Sequence, residues 1–311
     1  MLLYRSIPFP NGLVSRAIRS YATISKPQQY STPQLEDNNQ TESNRLSKTL
    51  TKFWSQVSIE SNENHHAIKL DNKTIRTPLG NFLEIPTNRS ILAHLLHHEW
   101  SSLSNLSIKT HNLPLTSLVA RVIDLEHANL TKNEELQAKV GIREDIIEDL
   151  LRYFDTDTLL VFAPQAEYEG KLRSKQEELY RPIISQIEKL LEIESGSINW
   201  LDTDVGLRGN QQSENVRSKA RSWLLNLDFW DLVALEKVTL SAKSLICGIL
   251  TLRAKSHGEE IVNLEKIAEC ATLEVGFQTE KWGEVEDTHD VDYQDIRRNI
   301  NSAGIISFRQ E

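Results

Sequence analysis

The sequence is poor in the residues from which common active sites are built. It has two cysteines, Cys247 and Cys270, far apart and outside any CxxC pair, so neither a disulfide framework nor a cysteine-based zinc site is expected. Each lies in an apolar helical pattern and reads as a buried thiol in a reducing compartment. The 12 glycines form no GxxxxGK[ST] or GxGxxG loop, which excludes nucleotide binding by those routes. GxSxG and HExxH are also missing, so a nucleophile elbow and a zinc-protease helix are excluded. No apolar run approaches the roughly 18 residues needed to cross a bilayer. Basic charge is scarce as well: 35 Lys and Arg face 44 Asp and Glu, a formal net charge of -9. That balance argues against nucleic acid and anionic membrane as partners and favours a basic or neutral protein surface.

What remains is 311 residues with 39% hydrophobic content, enough for one large domain or two small ones. No acid precedes Glu36, whereas Arg5, Arg16, Arg19 and Lys26 stand among Ser, Thr and small apolar residues. This is transit-peptide composition, and Arg19-Ser20-Tyr21-Ala22 resembles a matrix-protease site. Residues 1–21 are expected to be a mitochondrial transit peptide, with the mature protein in the matrix. Residues 22–50, rich in Gln, Asn, Ser, Thr and Pro, cannot bury enough surface to offset ordering entropy and are expected to form a flexible leader.

From Phe53 to Pro86 short apolar runs alternate with polar residues, with turn signals at Asp71-Asn72 and Pro78-Leu79-Gly80-Asn81, which predicts a small antiparallel sheet. After Pro86 the period changes to about 3.6, with a polar cap expected at Thr87 or Asn88 and an apolar face through Ile91, Leu92, Leu95, Leu96 and Trp100. Pro114 interrupts the pattern, and Gly141 marks a weak spot between Lys132 and Phe154. The β-branched run Thr156 to Pro164 reads as a short buried strand. Almost everything beyond it is helical. The fold class is therefore α+β: a β-rich N-terminal domain with the first helix over residues 51–110, then a larger helical C-terminal domain over 111–311.

Two clusters invite chemistry. His94, His97 and His98 come near to metal spacing, but His97 and His98 are adjacent and point in different directions, and no Cys is near. Between Phe277 and Arg298 the sequence carries seven acids around Trp282 and Gly283. Asp287, His289, Asp290, Asp292 and Asp295 could hold a hard cation, yet the spacing fails as an EF-hand because Asp295 stands at the glycine position. The segment reads in three ways: a solvated acidic helix, a metal site serving a metal-dependent matrix enzyme, or a docking surface for a basic partner. Trp282 is either a staple into the local core or an interface anchor.

The ordered pieces FW at Phe53-Trp54, LDNKTIRTPLGNFLEIP at Leu70 to Pro86, EW at Glu99-Trp100, LPLTSL at Leu113 to Leu118, DTLLVF at Asp157 to Phe162, KS at Lys243-Ser244 and LEVGFQTEKWGEVEDTHD at Leu273 to Asp290 span about 250 residues. Together they resemble the mitochondrial chaperones that escort the alpha subunit of the ATP synthase catalytic head during assembly, the ATP-twelve family. The resemblance implies a small β-rich domain followed by a helical one, no enzymatic activity and no cofactor. It implies a chaperone that binds the unassembled alpha subunit and prevents its aggregation until the beta subunit replaces it. Glu274, in LEVGFQ, matches a family glutamate tied to chaperone function, and Trp100 matches a position where loss of the aromatic impairs the protein. Arg76, which opens RTPLGN, joins Trp100 as a structural or functional position. Glu280, Trp282, Glu284, Glu286, Asp287 and Asp290 join Glu274 as the expected partner-binding residues. Two departures stand out: Val275-Gly276 and Ser101-Ser102 occupy places where family members carry more acidic or polar residues. Gly276 is expected to weaken its helix by about 1 kcal/mol relative to Ala.

Overall fold

The computed structural model describes residues 52–103, 112–206, 209–254, 263–283 and 289–310, all within one compact unit, Ser47–Glu311. The expected transit peptide and the whole of the expected flexible leader lie outside the described residues, as does the 110/111 boundary.

The β-rich part follows the alternating pattern. Strands β1 (Val57–Ser61) and β2 (His65–Leu70) pair antiparallel from Val57 opposite Leu70 to Ser61 opposite His66, with Ile59 facing Ile68. The opposite edge of β2 is shared by β3 (Lys73–Thr74), which pairs with its C-terminal end, and β4 (Glu84–Pro86), which pairs with its N-terminal end. Asp71 makes the β2–β3 turn with a left-handed φ of 53°. Its carboxylate also accepts hydrogen bonds from Ser55 N, Ser55 Oγ and Gln56 N at 2.9–3.1 Å, which holds it below the usual carboxylate range. Ile68, Leu83 and Ile85 are buried beneath helix α1 (Ser90–Ser101), whose His97 Nε2 donates to the Val57 carbonyl.

The cap of α1 differs from the expected one. Thr87–Arg89 form a 3-10 turn without a side-chain cap. The exposed backbone N–H of Ile91 and the Ser90 hydroxyl are instead met by Gln310 Oε1, at 3.2 and 2.8 Å. A cap supplied from over 200 residues away has no local signature. Beside it, buried Arg89 donates to the carbonyls of Ile306 and Phe308 and stacks over Trp230, and burial lowers its pKa to about 10.

The helical part is ordered by short-range caps. α2 (Pro114–Thr131) starts with its proline in the first turn, where the missing N–H costs nothing. α3 (Glu134–Val140) and α4 (Arg143–Asp155) are separated at Gly141, whose φ of 95° only glycine adopts readily. α5 (Lys171–Leu190), α6 (Glu214–Leu225), α7 (Phe229–Ala242), α8 (Leu245–Arg253), α9 (Leu264–Ala271), α10 (Leu273–Trp282) and α11 (His289–Ser307) follow. Asn133, Ser213, Asp228, Ser244 and Asn263 each accept a backbone N–H three residues on, satisfying donors that the helices leave open. α7 is apolar almost all round and forms the centre, packing on α2, α8 and α11. A Cβ at Gly248 would come within 2.7 Å of Thr239 Oγ1, so glycine sets the close approach of α8 to α7.

The stretch from Thr156 to Pro164 is not a strand for most of its length. Thr158–Leu160 turn as a 3-10 helix, and only β5 (Val161–Phe162) is extended, pairing in parallel with β6 (Leu201–Asp202). The reason is Asp157. Fully buried, its carboxylate accepts from Leu159 N at 3.0 Å and from Ile246 N at 2.9 Å, bending the chain to cap its own turn and the start of α8. Burial pushes its pKa up to about 6 against these stabilising hydrogen bonds. Cys247 and Cys270 are free and buried, and burial raises both thiols, Cys270 to about 11.

Candidate functional site

Most of the pieces that carry the resemblance fall into two places of opposite character. In the first, the RTPLGN turn is bolted to α2. Thr77 Oγ1 and Asn81 Nδ2 both donate to the buried Asp124 carboxylate, at 2.5 and 2.7 Å. Arg76 is exposed and braces the turn from outside, stacking 3.9 Å over the Phe82 ring and donating to the Gly80 carbonyl at 2.7 Å. The EW pair performs the same service for the start of α2. Glu99 accepts from the backbone N–H groups of Leu115 and Thr116, at 2.8 and 2.9 Å, and from the Thr116 hydroxyl at 2.6 Å. Burial raises the Glu99 pKa, and those three donors oppose the rise. Trp100 is 8% exposed, donates from Nε1 to Thr116 Oγ1 at 2.9 Å and meets Trp54 edge-on. It is a core residue joining α1 to α2, with little surface to offer a partner.

The second place is exposed. α10 carries Glu274 at its start and Trp282 at its end, and its helix runs unbroken through Gly276. Glu274 and Glu280 are exposed, and Glu274 accepts a local hydrogen bond from Gln278 at 3.1 Å. Trp282 is 69% exposed, which removes the staple reading. It leans on Tyr168, whose ring also meets Phe277, with centroid distances of 5.9 and 5.5 Å. The Lys281 ammonium stands 5.0 Å from the centroids of both Tyr168 and Trp282.

Tyr168 reaches this position because the chain before α5 is strained: Tyr168 and Glu169 hold φ of 48° and 56°, unusual for residues with side chains, and Gly170 follows at 77°. Its hydroxyl pKa is raised by desolvation and then by the charges of Glu167 and Glu274. Neither Tyr168 nor Asp124 was singled out by sequence reasoning. Asp124 is one acid in a helical run, and the left-handed turn at Tyr168 had only Gly170 as a signal.

Glu284, Glu286 and Asp287, and the side chain of Asp290, lie outside the described residues, so the full extent of the acidic segment does too. Of its remaining acids, Asp292 is exposed and Asp295 pairs with Arg298 at 2.9 Å. Among the described residues no group of three His, Cys, Asp or Glu is placed to hold a metal ion, the His94, His97 and His98 group included. No helix among the described residues is long and apolar enough to cross a membrane.

A family model described as ATP12 chaperone protein matches residues 51–188. The chain is 51% identical over 290 residues to a Saccharomyces cerevisiae protein named ATP12, mitochondrial, covering 89% of each sequence. It is 33% identical over 256 residues to the Schizosaccharomyces pombe protein atp12, mitochondrial, covering 82% of this chain and 81% of that one. The crystal structure of Atp12 from Paracoccus denitrificans shares the fold, with a TM-score of 0.62 over 83% of this chain and 97% of that one, at 23% identity. The metal-dependent enzyme reading finds no support in these likenesses. The chain therefore belongs to the ATP12 family of chaperone proteins and is not an enzyme.

Proposed function

We propose that this protein is an assembly chaperone of the mitochondrial ATP synthase catalytic head, acting in the matrix on the unassembled alpha subunit. It holds that subunit's aggregation-prone interface until the beta subunit replaces it, without a cofactor. Near full-length similarity to two mitochondrial relatives carries this reading. The acid-free, arginine-bearing residues 1–21 would serve import, and residues 22–50 would be a flexible leader. We assign the sheet with α1 (51–110) to bracing the body and the helical part (111–311) to partner binding. The partner-facing residues would be Glu274, Glu280 and Trp282, continued by Glu284, Glu286, Asp287 and Asp290. Arg76 and Trp100 would keep the scaffold in shape.

The test is capture of the tagged protein from matrix extracts with quantification of what it holds. A transient, substoichiometric complex with free alpha subunit is expected. A constant share of assembled synthase would make it a permanent subunit instead, and no synthase subunit at all would remove the assignment.

A further inference from the structure

The pair of rings at Tyr168 and Trp282 is occupied in an unusual way. The rings lie 5.9 Å apart at 65°, Trp282 is largely exposed, and among the described residues the Lys281 ammonium is seated on both, 5.0 Å from each centroid. A lysine on the same exposed helix end can leave at little cost, because its long side chain regains rotamer freedom and its charge regains water. A guanidinium from another polypeptide would fit the same notch better. It is planar, stacks on ring faces and is less strongly hydrated than an ammonium. The rim supplies the charge that a cation needs: exposed Glu167 adjoins Tyr168 in the chain, and exposed Glu274 lies about one helical turn before Phe277, whose ring meets Tyr168. The strained turn at Tyr168 and Glu169 fixes one wall of this notch in place, while the other wall is the end of α10.

We propose that the Tyr168–Trp282 notch receives an arginine side chain of the partner polypeptide, and that Lys281 holds its place in the free protein. This rests on the reading of the face around Glu274 as the alpha-subunit surface. It adds a defined subsite, a ligand chemistry and three residues, Glu167, Tyr168 and Lys281, that the acidic segment alone would not pick out.

The test uses the full chain and two probes. With purified unassembled alpha subunit, Trp282→Ala is expected to weaken binding at least tenfold, Trp282→Phe to restore most of it, Glu167→Gln to weaken it severalfold, and Lys281→Gln to strengthen it. Wild-type binding by Trp282→Ala would overturn the proposal while leaving the chaperone reading intact. The second probe is the peptide acetyl-Gly-Arg-Gly-amide, followed by the Trp282 indole N–H resonance, assigned by its loss in Trp282→Phe. The arginine peptide should move that resonance and its norleucine counterpart should not; equal or absent shifts would overturn the proposal. Should wild-type protein fail to bind alpha subunit, the functional reading falls, and the peptide result alone decides the notch.

Discussion

The region around Trp100 and the region around Trp282 each hold a tryptophan and a glutamate, and they use the same two residue types for opposite ends. At Glu99-Trp100 the carboxylate is spent on three donors at the start of α2 and the indole is buried against Trp54. At Glu274 and Trp282 the carboxylate faces solvent and the indole is 69% exposed. Motif membership therefore does not separate scaffold from surface; the partners of each polar atom do. Damage to the first region should appear in folding, and damage to the second in binding with folding unchanged.

The largest expected effect breaks the first region. Trp100→Arg places an unpaired charge in the core and forfeits the bond to Thr116, costing several kcal/mol, on the order of 3–5. Thermal unfolding should show it; an unchanged transition with lost partner binding would move Trp100 to the interface. A somewhat smaller effect concerns Asp157. Its folded carboxyl titrates near 6 and an unfolded aspartate near 3.9, so the folded state holds the extra proton in between. This group therefore adds stability as pH falls from about 6 towards 4, on the order of 2–3 kcal/mol, and loses it as pH rises through 6. Asp157→Asn should flatten that part of the stability-versus-pH curve, as measured by denaturant unfolding at several pH values.

Asp124→Ala strands the Thr77 hydroxyl and the Asn81 amide, and about 1–3 kcal/mol of stability should be lost. Hydrogen exchange should localise the loosening to the turn at residues 77–81. The smallest effect on stability sharpens the comparison from the other side. Glu274→Lys alters an exposed helix position and should change unfolding by less than about 0.5 kcal/mol. Assembly of the synthase head in cells carrying only that variant should nonetheless fail. Normal assembly would show that the exposed region has been placed wrongly.

Much of the scaffold was readable because its determinants are local. Alternation gave the strands from Val57 to Pro86, Gly141 gave the break between α3 and α4, and Pro114 gave the start of α2. Where the determinant was distant, local reasoning failed. The apolar run at Thr156 to Pro164 has the composition of a strand, but Asp157 bonds to Ile246 and turns it. Thr87 and Asn88 have the chemistry of a cap, but Gln310 supplies one. In the candidate site, Glu274 and Trp282 were legible from resemblance and from the mismatch of an aromatic among acids. Their neighbour Tyr168 was not, since it precedes α10 by more than 100 residues and adopts a backbone conformation that its side chain disfavours.

The contacts of Arg89, Ser90 and Ile91 with residues 306–310 also set an order of events. α1 precedes residue 310 by more than 200 residues, yet its N-terminal donors find their acceptor only when Gln310 is in place. Contacts of such sequence separation form late, because the intervening chain must first be gathered. A product interrupted before residue 306 would leave Arg89 with a buried charge and no carbonyls to receive it. Docking of residues 306–310 is thus the step that finishes the start of α1, and a chain lacking them should leave that helix end without its acceptor.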